Sequence, residues 1–161
     1  MPGTQGGPCM HTIAAKAIEF KHAQTPEFRE YQKQVIKNAQ ALSGALHKRG
    51  YRIVSGTTYN HLFVIDLSDK TITGKDASHA LEKAGITISK STVPFDTQKP
   101  WVTSGIRIGT PAVTTRAMKE EEMQLIAQWI DHAITNHKND QVLAAIKKEV
   151  ESLCAQFPIY K

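Results

Sequence analysis

Trp101-Val102-Thr103-Ser104-Gly105-Ile106-Arg107-Ile108-Gly109-Thr110-Pro111 is the stretch on which the fold turns. Ile106 and Ile108 alternate with Arg107, the two-residue period of a half-buried strand. Two branched side chains then face a core, and the guanidinium faces the opposite way. Thr110-Pro111 predicts a helix start, with Thr as N-cap and Pro in the first helical position. An arginine projecting from a rigid strand beside a helix N-terminus can grip a carboxylate through two parallel hydrogen bonds. The plain alternative is an arginine on the solvated face of an edge strand.

Upstream, Tyr51-Arg52-Ile53-Val54 and Leu62-Phe63-Val64-Ile65-Asp66-Leu67 read as strands joined by a turn-forming segment over 55–60. Thr73 and Asp76 form an approximate capping box for a short helix carrying Ala77, Ala80, Leu81 and Ala84, which Gly85 ends. Ile86-Thr87-Ile88 then reads as a third strand. Ser89 to Pro100 reads as a polar loop, of a length and irregularity that often carries function. Before the strands, Met10, Ile13, Ala17 and Phe20 give one helical face over Cys9 to Phe20. Thr25-Pro26 restarts the helix, and Phe28, Tyr31, Val35, Ala39, Leu42 and Leu46 form a long stripe that stops at Gly50. After the arginine strand, Glu120, Glu121 and Glu122 favour a helix start, with Met123, Ile126, Ile130 and Ala133 facing inward. Asn139 caps a last helix carrying Val142, Ile146, Val150 and Leu153. The sum is an α/β (α+β) fold: a small, mostly antiparallel sheet covered by helices, preceded by a long helical arm.

The chain has 161 residues, 40% hydrophobic and 22% charged, the balance of one globular domain with a real core. No apolar run approaches membrane-spanning length, and no signal-peptide pattern opens the chain. Cys9 and Cys154, without CxxC spacing, read as reduced thiols of a cytoplasmic protein with no metal site. The net charge of +5 attracts anionic ligands, but lysines scattered singly among few aromatics do not make a nucleic-acid-binding strip.

Pro2-Gly3-Thr4-Gln5-Gly6-Gly7-Pro8 brings backbone N–H groups where they can cup a phosphate, with a helix N-terminus following; the alternative is a loose tail. His61 follows Asn60 after a turn and can be a base or a ligand, but a lone histidine without a carboxylate or cysteine cluster is more often structural. Asp66 ends an apolar strand and is either a buried acid or an exposed one. No HExxH, GxSxG, Walker loop or EF-hand spacing is present.

The glycine-rich start, followed by Ile13-Ala14-Ala15-Lys16-Ala17, closely resembles serine hydroxymethyltransferase. So do, in chain order, Pro26-Glu27-Phe28, Tyr31, Asn38-Ala39, Val54-Ser55-Gly56, Asn60-His61-Leu62, Asp66-Leu67, Thr73-Gly74-Lys75, Pro94-Phe95-Asp96 and Thr103 to Pro111. The likeness runs along nearly the whole chain and corresponds to the C-terminal part of the family's chain, which is well over twice as long. It implies the C-terminal domain of a pyridoxal-phosphate-dependent, fold-type I (aspartate aminotransferase-like) enzyme. Residues 1–24 would close the large cofactor domain and 25–161 would form the small one. It also implies interconversion of serine and glycine with tetrahydrofolate as one-carbon acceptor, in a cytoplasmic homo-oligomer.

On this resemblance Arg107 is similar to the arginine that holds the substrate α-carboxylate, which orients the bonds at Cα. Gly6 and Gly7 are similar to the backbone donors that reach the cofactor phosphate across the dimer interface. The Ser89 to Pro100 loop is similar to part of the folate pocket, with one departure. Ser89-Lys90-Ser91 stands where the family usually reads Asn-Lys-Asn, and a serine lacks the paired donor and acceptor of an amide, which weakens a folate contact at Ser91. Tyr59 likewise replaces a usual aspartate. The Schiff-base lysine, which the family carries in the large domain after a histidine and a threonine run, has no counterpart. His47-Lys48 and His137-Lys138 lie near predicted helix ends and read as helix-terminal cations.

The resemblance thus implies no catalytic residue in this chain, no stable pyridoxal phosphate binding by it and no activity alone. Three readings follow: a fragment made by truncation or design, one half of a split enzyme completed by a separate N-terminal chain, and a non-catalytic module that binds an anion or a partner. The helix over Cys9 to Phe20 would pack on the large domain; without it, the exposed face predicts self-association, a swapped arm or disorder.

Overall fold

A computed structural model describes residues 3–4 and 6–159. The chain divides into two compact units, Met1–Lys33 and Gln34–Lys161. In the first, α1 (Met10–His22) starts from an extended Cys9 and buries none of its residues; Met10, Ile18 and Phe20 are all exposed. Thr25 Oγ1 accepts from the Phe28 N–H at 3.2 Å and so starts α2 (Pro26–Lys48), as the Thr-Pro pair predicts. His22, Phe28 and Tyr31 bring their rings together there, with centroids 5.2 and 5.9 Å apart.

In the second unit, α2 turns Val35, Ala39, Leu42 and Leu46 inward, the latter part of the predicted stripe. The chain leaves the helix through Gly50 at φ +82°, a left-handed conformation that a side chain would strain. Four strands follow: β1 (Arg52–Ile53), β2 (Leu62–Asp66), β3 (Ser89–Ser91) and β4 (Gly105–Gly109). They form one antiparallel sheet in the order β1-β2-β4-β3. β4 is therefore an interior strand, not an edge. Its five residues pair with Leu62 to Asp66 on one side, and Gly105, Ile106 and Arg107 pair with Ser91, Lys90 and Ser89 on the other. Ile106 and Ile108 are buried while Arg107 is exposed, the alternation the sequence predicts.

The third strand lies three residues later than its apolar pattern suggests. Ile86-Thr87-Ile88 stays outside the ladder, and the strand starts at Ser89, inside the segment that reads as a loop. Ile86 and Ile88 are half-buried against the helices, so their pattern records packing rather than strand pairing. Ser89-Lys90-Ser91 pairs through its backbone alone, which leaves no mark on side-chain periodicity.

One face of the sheet carries the core, covered by α3 (Gly74–Lys83), α5 (Glu120–Thr135) and α6 (Asp140–Gln156); Leu46, Ile65, Leu81, Ile106, Met123, Ile130 and Ile146 are all but inaccessible. The helix starts are capped largely as predicted. Thr73 Oγ1 accepts from the Asp76 N–H at 3.1 Å, and Asn139 Oδ1 accepts from the N–H groups of Gln141 and Val142. The short α4 (Pro111–Thr115) has Pro111 in its first turn, as expected, but Thr110 caps it by position only. The Thr110 hydroxyl instead donates to the Val35 carbonyl at 2.8 Å, tying α2 to the end of β4. Among the described residues no helix is long and apolar enough to cross a membrane.

Candidate carboxylate-binding site

Backbone pairing on both sides fixes Arg107: its Cα partners are Val64 on β2 and Ser89 on β3. With Ile106 and Ile108 anchored in the core, the pleat directs Arg107 to the other face. Close strand approach at Gly105 tightens this further. A Cβ there would stand 2.6 Å from Val93 Cγ1, 2.8 Å from the Ile65 carbonyl oxygen and 2.9 Å from that of Ser91. Arg107 lines an open concavity of about 340 Å³ together with His61, Leu62, Thr87, Ile88, Ser89 and Gly109. Among the described residues no carboxylate pairs with it. A planar fork of donors without an internal counter-ion, set on an interior strand, can receive a carboxylate from outside.

The other sequence candidates separate. His61 lies at the rim of the same concavity, and its carbonyl accepts from the Thr110 N–H at 3.0 Å. Asp66 is a buried acid with its oxygens already engaged. Oδ2 lies 3.0 Å from Arg52 Nη1, and Oδ1 accepts from the Ser68 N–H and hydroxyl at 2.8 and 2.5 Å. It fastens β2 to β1 and its following turn. Ser91 belongs to β3, outside the concavity, and its hydroxyl donates to the Thr92 carbonyl at 3.2 Å. Gly6 and Gly7, in the first unit, are exposed, and a Cβ added at either would meet nothing within 4 Å. Lys48 is the last residue of α2, and His137-Lys138 follows the end of α5, where His137 Nδ1 lies 3.0 Å from the Ile134 carbonyl oxygen. Neither pair lines the Arg107 concavity.

Two residues that sequence reasoning left without a role organise the segments before and after β4. Asp96 accepts from the Ser104 hydroxyl at 2.7 Å and from the N–H groups of Ser104, Gln98 and Val93 at 2.9, 2.9 and 3.3 Å. These bonds favour the carboxylate, the Ser104 hydroxyl most, and hold its pKa down at about 2. The segment between β3 and β4 is thus a wound turn, with Phe95 at φ +61° and fully exposed at its tip. Asn38, fully buried on α2, donates to Thr114 Oγ1 and to the Met118 carbonyl, both at 2.9 Å, and accepts from Gln34 Nε2 at 2.9 Å. The available signal was a polar residue inside an apolar stripe, whose partners lie far along the chain.

The profile of the family described as serine hydroxymethyltransferase matches residues 1–130. The chain belongs to that family. It is 56% identical to the serine hydroxymethyltransferase of Buchnera aphidicola subsp. Schizaphis graminum (strain Sg) over 159 residues, 99% of this chain. The chain spans 38% of that relative's length. It corresponds to the C-terminal part of a serine hydroxymethyltransferase. The helix-covered antiparallel sheet is the α/β architecture that membership in this fold-type I, pyridoxal-phosphate-dependent family implies.

Proposed function

We propose that this chain is the C-terminal lobe of an enzyme that interconverts serine and glycine with tetrahydrofolate, and that Arg107 binds the substrate α-carboxylate. The supporting observation is the exposed Arg107 on an interior strand, with no carboxylate partner among the described residues, at the wall of an open concavity. Pyridoxal phosphate, when bound, supplies the electron sink for bond cleavage at the substrate Cα. The periphery of that group fits residues present here. Gly6 and Gly7, exposed and without side chains, would offer backbone N–H groups to its phosphate, and Arg107, without a carboxylate partner among the described residues, would hold the amino acid that the cofactor activates. Fixing the carboxylate by two bonds leaves one rotation about the Cα–carboxyl axis to the rest of the enzyme.

Residues 1–24 are assigned to the end of the cofactor domain and 25–161 to the small domain. The remainder of the enzyme, including a second subunit, would cover the exposed face of α1 and supply the Schiff-base lysine. The chain alone is then inactive and holds the cofactor poorly. Ser91 is a weak candidate for a tetrahydrofolate contact, since its hydroxyl is turned to the Thr92 carbonyl.

The test combines this chain with a second chain carrying the N-terminal part of a family member, and assays serine cleavage in the presence of tetrahydrofolate. Activity is expected from the mixture and from neither chain alone. In the mixture Arg107→Lys should lower kcat/KM for serine by about 10- to 100-fold, the worth of one charge-assisted bidentate contact. Serine cleavage by this chain alone, or an active mixture indifferent to Arg107→Ala, would refute the assignment.

A further inference from the structure

On the opposite side of β4 from Arg107 lies a second concavity, of about 290 Å³. It backs onto the first through Thr87, Ile88 and Gly109, but Arg107 is not among its walls. Ile88, Ile108, Val113, Ile126, Trp129 and Leu153 make it predominantly apolar, and its volume falls at the small end of ligand-sized pockets, roughly 300–1,000 Å³. One wall residue is out of character. Arg116, the half-buried C-cap of α4, lines the cavity, and its Nη1 donates to the Phe157 carbonyl at 2.9 Å. Among the described residues no carboxylate pairs with it, and of the five N–H donors of its guanidinium one meets a carbonyl there. A cation beside an apolar cavity complements a molecule with an anionic head and a short hydrocarbon body.

We propose that this cavity binds a medium-chain aliphatic carboxylate, with the carboxylate on Arg116 and the alkyl chain among the apolar walls. Phosphate or a dicarboxylate would satisfy the arginine and leave the walls wet, and an alkane or alcohol would fill the walls and leave the charge unpaired. The amphipathic monocarboxylate satisfies both. Its chain would lie against Trp129, whose Nε1 donates to Glu149 at 2.6 Å, and beside the half-buried thiol of Cys154. Both give local signals.

The probes are octanoate and its uncharged counterpart, octan-1-ol, titrated into the 161-residue chain with the Trp129 indole N–H followed by NMR. Octanoate should saturate, shift the Trp129 resonance, slow alkylation of Cys154 but not of exposed Cys9, and bind at least about tenfold tighter than octanol. Arg116→Gln should erase that tenfold preference. Arg107→Ala should leave octanoate binding unchanged; loss of binding there would put the ligand in the other concavity and overturn this proposal without touching the assignment of Arg107. Equal affinities for octanoate and octanol, or an octanoate affinity unchanged in a folded Arg116→Gln variant, would also overturn it. The octanoate–octanol comparison needs no substitution, so it decides even if Arg116→Gln fails to fold.

Discussion

Replacing Gly105 by alanine isolates the packing that fixes Arg107. Gly105 is not among the residues with positive φ, so alanine can adopt its backbone conformation and the cost is steric. The new Cβ would lie 2.6 Å from Val93 Cγ1, 2.8 Å from the Ile65 oxygen and 2.9 Å from the Ser91 oxygen, each at least 0.5 Å inside the 3.4 Å floor of ordinary contact. The Val93 methyl can rotate away. The two carbonyls cannot, because they belong to the strands flanking β4 on either side. Relief requires spreading three paired strands, at about 2–3 kcal/mol for overpacking and about 1 kcal/mol for a weakened ladder bond. A loss of about 3 kcal/mol is expected. Urea unfolding followed by circular dichroism should show it as a midpoint lowered by about 1–3 M at ordinary slopes. Adding Val93→Ala removes only the mobile contact, so the double variant should recover less than half of the loss. A shift below about 0.5 kcal/mol for Gly105→Ala, or full rescue by Val93→Ala, would show that the flanking carbonyls do not set the strand spacing.

Asn38→Ala should cost about 2–4 kcal/mol, because it leaves the buried Met118 carbonyl without its donor and opens a void beside Thr114; thermal and urea unfolding measure it, and a loss under 1 kcal/mol refutes the role. The Asp96 pKa of about 2, below its ordinary 3.8, means that the folded chain favours the carboxylate. Its contribution is therefore complete above about pH 4 and is lost as pH falls from there through about 2. The stability difference between the parent chain and Asp96→Asn should shrink over that interval, and a difference undiminished at about pH 2 would contradict the hydrogen bonding described.

The placement of Arg107 could be read locally, because alternation with two isoleucines needs only three residues and the pleat does the rest. What could not be read is that β4 is an interior strand. Its second neighbour, Ser89-Lys90-Ser91, pairs without an apolar pattern, and the isoleucines just before it drew the strand to the wrong place. Thr110 shows the same division. The helix start followed from Thr-Pro, but the hydroxyl that would cap it went to Val35, a carbonyl 75 positions away. Asp96 and Ser104 lie only eight residues apart, yet their bond ties the turn after β3 to the entry of β4, just past Phe95, which holds a left-handed conformation that no propensity would choose. Local rules succeed where a residue's environment is set by its neighbours in the chain, and fail where a polar group is claimed from a distance.

That division bears on the site itself. The arginine's direction is local, but its companions in the concavity come from three segments. His61 and Leu62 are brought by β2, and Thr87 to Ser89 by the segment leading into β3; only Gly109 is its own neighbour in sequence. The ladder that assembles them is backbone throughout, and at its tightest point admits no side chain. A concavity built this way can tolerate exchange of the side chains around its rim more readily than a methyl group beneath it. Substitutions at Ser89 should therefore change what the concavity accepts, while Gly105 decides whether Arg107 is held in place at all.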